Sequence, residues 1–307
     1  MAHAADAAAF EPPHRLVREL GGTHGVPAGD WLGRVPAAVR EALDAHGLDA
    51  ERVVEPGGGS SVVVLARRRA DGAQAALKLA PPFAAPGLER AALAHWDGWG
   101  AVRLLDPEAA GPGLVLERLR PDVSLRSLPE AKALLEAAGT VRRLWVAPPE
   151  GHGFEPVAER TARQAGAMAA YRSDEVAGPL VEAVLEAREE LVAGAGEKLL
   201  LHGCFRQGKV LAGERAPWLA VGPEPVVGER AYDLALLARD RVEDLVAADT
   251  GASAARRRLR RLADSLDLDQ ERLRGWTRFR AVESATRALG AGRVREAELL
   301  LEFAAWL

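Results

Sequence analysis

Apolar residues in WLGRVPAAVREALDAHGL (31–48) recur at helical spacing, with Val35, Val39, Leu43 and Leu48 on one side. After residue 50 the period shortens. RVVEP (52–56), SVVVLARR (61–68), AQAALKLA (73–80) and GPGLVLERL (111–119) are short runs rich in β-branched and aliphatic residues, and such runs read as strands. Asp71-Gly72 between two of them predicts a tight hairpin with positive φ at both central positions. PGLERAALAHW (86–96) returns to the helical period. Residues 50–119 therefore predict a small antiparallel sheet carrying one helix.

Beyond RPDVS (120–124), the expected hinge, the chain is nearly all helical in pattern. Ser127-Leu-Pro-Glu130 has the form of a capping box opening a helix through Trp145. Further helices are expected over 155–172, 176–194, 231–247, 252–265 and 269–305, the last broken near Gly290 and Gly292. KVLAG (209–213) and WLAVG (218–222) are too short for helices and suit a small hairpin. The expected organisation is a tail over 1–30, a mixed sheet lobe over 31–119 and a helical lobe over 120–307 with a loop at 202–211. No internal repeat is visible.

Composition narrows the function classes. Apolar residues make up 48% and charged residues 27% of the 307, a globular balance. A formal net charge of −4 argues against nucleic acid as a partner, and the basic run Arg256–Arg261 reads as a solvated helix face. No apolar run approaches a membrane span, and the first residues lack the order of a signal peptide, so a cytoplasmic location away from membranes is expected. One cysteine excludes an internal disulfide and a multi-cysteine zinc site.

The ordered stretches RRRADGAQAALKLA (67–80), LERAALAHWDGWGAVRLLD (88–106), LVLERL (114–119), LLHG (200–203), VLAGERAPWLAVGPEPVVGERAYDLA (210–235) and GWTRFRAVESA (275–285) carry a resemblance. The chain resembles the aminoglycoside phosphotransferase branch of the kinase-like fold, and within it the streptomycin 6-phosphotransferase and hydroxyurea-resistance kinase family. The resemblance implies an α+β fold of two lobes, an antiparallel sheet followed by a larger helical part. It implies that Lys78 grips nucleotide phosphates, that Glu89 orients Lys78, and that the backbone of Glu117 to Leu119 meets an adenine ring. Gly58 and Ser60 stand in the GGGS run (57–60), where the family covers the phosphates, although a plain hairpin loop has the same composition. His202 and Asp233 match positions that tie the catalytic loop to the helix beneath it.

At the centre of that loop the chain departs from the family. The family reads His-Gly-Asp-Leu-x-x-x-Asn-Val-Leu and then Ile-Asp-Pro-Lys. Here Cys204 stands for the catalytic aspartate, Lys209 for the metal-binding asparagine and Gly222 for the metal-binding aspartate. A thiol of ordinary pKa, about 8.5, is mostly neutral at pH 7, and losing a general base costs about 10²–10⁴ in rate. Mg²⁺ requires oxygen ligands; glycine offers no side chain and lysine brings a positive charge. The local charge rises by three, because two carboxylates become neutral and one amide becomes an ammonium.

Glu224, Glu229 and Asp240 are nearby carboxylates that could in principle replace a ligand. Cys204 reads either as a nucleophile beside His202 or as a small buried filler, and the filler reading is preferred because neighbouring residues need not face each other. Asp233, Asp240 and Glu283 are candidates to line an acceptor region.

The reading favoured by these substitutions is a pseudokinase that binds a nucleotide or small metabolite. ATP or GTP would be held without Mg²⁺, with Lys209 and Arg206 as candidate anion contacts. The alternatives are a weak or repurposed phosphotransferase acting on a hydroxyl of a small molecule or antibiotic, and a protein-interaction module in secondary metabolism.

Overall fold

The computed structural model describes residues 10–107 and 111–307. It opens with α1 (His14–Ala45), β1 (Leu48–Val53), β2 (Val62–Arg68), β3 (Gln74–Leu79), α2 (Pro86–Trp96), β4 (Leu114–Glu117) and β5 (Arg120–Ser124). Then come α3 (Glu130–Val141), β6 (Glu155–Pro156), α4 (Val157–Met168), α5 (Gly178–Ala193), β7 (Leu199–Leu201), β8 (Val210–Ala212), β9 (Trp218–Ala220) and β10 (Val226–Gly228). The chain closes with α6 (Arg230–Ala238), α7 (Val242–Val246), α8 (Gly251–Leu266), α9 (Gln270–Gly290) and α10 (Val294–Ala305). The class is α+β. Two units emerge: Met1–Val123 with Leu211–Leu219, and Ser124–Val210 with Ala220–Leu307.

In the first unit, β1-β2-β3-β4 form an antiparallel sheet in that order. Alternation along β3 divides its side chains between two faces. Ala75, Leu77 and Leu79 join Val62, Val64, Ala66 and Val115 in a core with the apolar stripe of α1. Lys78 points to the other face. The stripe of α1 includes Leu16, Leu20, Ala28 and Trp31 as well as Val35 and Val39. Residues 14–30 are therefore helix rather than tail, while 1–9 lie outside the described residues. Glycines at 21, 22 and 25 and the internal Pro27 and Pro36 disguise this helix, and burial of its apolar face overrides their poor propensity.

Strand β1 is centred earlier than the RVVEP run, over LDAERV, with mostly exposed side chains at the sheet edge. The turn after β2 is longer than a two-residue hairpin. Arg68 N–H donates to Ala73 O at 2.9 Å, Gly72 alone of the pair has positive φ, and Asp71 accepts from Ala73 N–H. The hairpin expected in the helical part belongs to the first unit instead. Strands β8 and β9 follow β5 in a three-stranded sheet, and Arg215 on their connection donates to Gly98 O, Ala101 O and the Glu117 carboxylate.

The second unit holds the sheet β6-β10-β7 and most of the helices, with α9 packed against α4, α5, α6, α8 and α10. Tyr232, Trp276 and Phe279 stack edge to face inside it, with centroids 5.3 and 5.8 Å apart. The expected capping box is not formed. Ser127 Oγ donates to Ser124 O in a short turn, and α3 starts only after Pro129, because the residue before a proline is held extended. The helix expected over 231–247 is broken between α6 and α7. Arg258 donates to Ala238 O and Asp240 O, satisfying carbonyls at the end of α6, so one member of the basic run is structural and buried. None of the described helices is long and apolar enough to cross a membrane.

Candidate functional site

Two lysine-centred arrangements carry the chemistry, one in each unit. In the first, α2 buries Glu89, Ala92, Leu93 and Trp96, an i, i+3, i+4, i+7 stripe. That stripe brings Glu89 to the Lys78 face of the sheet. Lys78 Nζ lies 2.6 and 2.5 Å from the two carboxylate oxygens, with side-chain exposures of 10% and 6%. The predicted pairing is formed, and burial makes it a desolvated ion pair rather than a surface contact. Gly58 and Ser60 are exposed on their loop. The Glu117 carboxylate accepts from Arg103 N–H and from Arg215, and Glu117 N–H donates to Arg103 O at 2.9 Å. Its own N–H is thus committed, and Leu119, two residues on, is buried.

In the second unit, Asp233 near the start of α6 accepts from His202 N–H (3.1 Å), Gly203 N–H (2.8 Å) and Trp145 Nε1 (3.1 Å). Burial raises its pKa, and the three donors oppose that rise. The loop is also gripped from α9, where Arg280 donates to Gly203 O at 2.8 Å. Gly203 has φ +77, and a Cβ there would stand 1.9 Å from Glu224 O, so only glycine fits. The Asp240 carboxylate accepts from Gln207 N–H at 2.6 Å, and Arg241 donates to the Gln207 side chain. Burial raises Asp240 as well.

The three altered positions meet at one point. Lys209 Nζ lies 2.7 Å from Cys204 Sγ, 2.8 Å from Gly222 O and 3.4 Å from Glu224 Oε1. Burial favours loss of the lysine proton, but the hydrogen bond to Cys204 and the Glu224 charge oppose it and the pKa is raised, so Lys209 remains an ammonium. Cys204 is 5% exposed and its Sγ is 3.4 Å from Gly222 O and 3.7 Å from His202 Nδ1. The neighbouring histidine and cysteine do face each other, against the argument used to set a nucleophile aside. Burial, aided by the Glu224 charge, nevertheless pushes the thiol up to about 11, so it is protonated and inert at neutral pH.

Burial works against the Glu224 charge, yet Lys209, Arg160 and Arg280 together hold this carboxyl below the usual range. Its side chain is 57% exposed, so solvent screens that pull. Gly222 has φ +60. An aspartate restored there would sit in the left-handed region at a cost of about 1–2 kcal/mol.

A protonated thiol, an ammonium and one carbonyl do not fit Mg²⁺, and the remaining carboxylate is already turned to the lysine. Neither of the other nearby carboxylates replaces a ligand. Glu229 is buried against Arg272 and Trp276, and Asp240 is bound to the loop backbone. Arg206 is exposed on the loop turn. Glu283 on α9 accepts from Ser284 Oγ and lies 3.6 Å from Arg287. Trp145, Arg280 and Arg241 were not singled out from the sequence; each reaches a partner 34 to 113 positions away, which no local pattern reports.

A strand lysine paired to the next helix and a His-Gly loop anchored by a helix aspartate define the aminoglycoside phosphotransferase fold class. The crystal structure of a thermostable mutant of aminoglycoside phosphotransferase APH(4)-Ia, in ternary complex with ADP and hygromycin B, is similar in fold, with TM-score 0.59 at 15% identity over 86% of this chain and 95% of that one.

The sequence comparison narrows the class. The model of the aminoglycoside/hydroxyurea antibiotic resistance kinase family matches residues 46–292, and the chain belongs to that family. It is 34% identical to the streptomycin 6-kinase of Streptomyces glaucescens over 278 residues, 90% of each chain. It is 35% identical to the hydroxyurea phosphotransferase of Kitasatospora aureofaciens over 294 residues, 94% of this chain and 83% of that one.

Proposed function

We propose that this family member is a pseudokinase that binds a nucleotide without Mg²⁺, the Lys209 ammonium supplying the positive charge that a metal would bring. The observation that carries this reading is the seat of Lys209 Nζ, 2.7 Å from Cys204 Sγ and 2.8 Å from Gly222 O, among the replaced positions. The intact Lys78–Glu89 pair supports a retained phosphate grip. With the Cys204 thiol protonated, no group at that position takes up an acceptor hydroxyl's proton, and phosphotransfer is slowed by at least about 10²–10⁴.

Calorimetry with ATP and GTP, in Mg²⁺ and again in EDTA, tests the reading. Binding should persist in EDTA and be lost in Lys209→Glu. Binding that appears only with Mg²⁺, or turnover of streptomycin or hydroxyurea at an ordinary kinase rate, would overturn it. Absence of any nucleotide binding would also reject it.

A further inference from the structure

The second unit carries buried hydrogen-bonding atoms, close to the loop, that take no part in holding it. Tyr232 on α6 and Arg239 immediately after it are seven residues apart, two helical turns on one side. On α9, which packs against α6, Arg280, Glu283 and Arg287 are spaced i, i+3, i+7 and share a face. The Arg280 guanidinium lies 4.5 Å from the centre of the Tyr232 ring, joining the two faces. Three polar atoms of this group are buried without a hydrogen-bond partner among the described residues: the Tyr232 hydroxyl, Arg280 Nε and Arg239 Nη1. Tyr232 is fully buried and Arg280 is 7% exposed. Leaving such groups unpaired is costly, more so when charged, so a fold that retains three together is poised for something that pairs them.

The charge balance says what that something is. Three guanidinium groups, Arg239, Arg280 and Arg287, stand with two carboxylates that already have partners: Glu283 lies 3.6 Å from Arg287 and accepts from Ser284, and Glu224 lies 3.4 Å from Lys209. Burial first, then repulsion from Arg280, with Arg287 and Arg206 adding, brings the Arg239 pKa down to about 9. Arg239 is therefore a cation in surplus. A polycation would be repelled here, whereas an oxyanion would pair with the free arginine donors and accept from the tyrosine hydroxyl.

We infer that Tyr232, Arg239 and Arg280 form a binding site for the carboxylate or phosphate group of an anionic small molecule, on the second unit, adjoining the loop at Gly203 and sharing no residue with the Lys209 cluster. The site does not depend on the nucleotide reading, because Lys78, Cys204 and Lys209 take no part in it.

The test is titration of the full chain with sodium phosphate and, separately, sodium malonate at constant ionic strength, read by calorimetry and by thermal unfolding. One or both anions should bind saturably to the wild type with EDTA present and no nucleotide. Arg239→Gln should weaken that binding roughly tenfold or more, and Tyr232→Phe about threefold to tenfold. Tyr232→Phe deletes only a hydroxyl that has no partner in the fold, so the anion-free protein should melt at the same temperature or higher. That separates loss of a site from loss of structure. Preference for phosphate over malonate would identify a phosphoryl ligand, and the reverse a carboxylate. No saturable response to either anion, or equal binding by both variants and the wild type, would overturn the inference. Failure of nucleotide binding with this response intact would reject the pseudokinase reading alone.

Discussion

The two buried lysines of this protein are held in opposite ways. Lys78 is clamped by both oxygens of a buried carboxylate, at 2.5 and 2.6 Å. Lys209 is held at hydrogen-bond distance by a neutral thiol and a backbone carbonyl, and the nearest carboxylate stands 3.4 Å away, more than half exposed. The first is an ion pair inherited with the fold. The second is a charge standing among positions that served a metal in the family pattern. The same scaffold therefore holds one lysine in a tight buried ion pair and the other among neutral or solvated partners.

If that contrast is right, removing the two lysines will not cost the same. Lys78→Met leaves the Glu89 carboxylate buried and unpaired, and should lower stability by about 3–5 kcal/mol in urea unfolding. Asp233→Ala strips the His202 and Gly203 amides of their acceptor, and should cost about 3 kcal/mol as well as loosen the loop, seen as faster amide exchange at both positions.

The third test uses pH. The Cys204 thiol stays protonated in the fold to about 11, against about 8.5–9 for an ordinary thiol, so its contribution is complete below that range and is lost as pH rises through 11. The loss should total about 2–3 kcal/mol, and Cys204→Ala should flatten the slope between those pH values. Smallest of all, Lys209→Met should cost about 1 kcal/mol, because its partners are left neutral or solvated. Equal costs for Lys78→Met and Lys209→Met would abolish the comparison.

Much of this was legible in the chain, for identifiable reasons. AALKLA shows its lysine because strand alternation puts Leu77 and Leu79 on one face and Lys78 on the other, and the family resemblance drawn from such motifs is confirmed by the family match. The clustering of Cys204, Lys209 and Gly222 followed from their places in a known loop pattern. The helical start at His14 was hidden by glycines and prolines whose cost is met by burial, which no local propensity reports. The break at Arg239–Arg241 was hidden because its stabilising group, Arg258, arrives from α8 and looks like surface charge in the sequence. The His202–Cys204 contact was missed for a different reason: the bend at Gly203 turns near neighbours toward each other.

The first unit is closed by residues 211–219, and the Glu117 carboxylate receives its Arg215 partner only from that segment. On the ribosome those two residues are made 98 positions apart. At about 5–20 residues per second, the sheet waits roughly 5–20 s for its last contact while half of the second unit is being synthesised. The two units cannot mature one after the other in the order they are translated. A partly made chain therefore carries an unfinished first unit, and a nascent-chain series should show its protease resistance arriving only once residue 219 has cleared the exit tunnel.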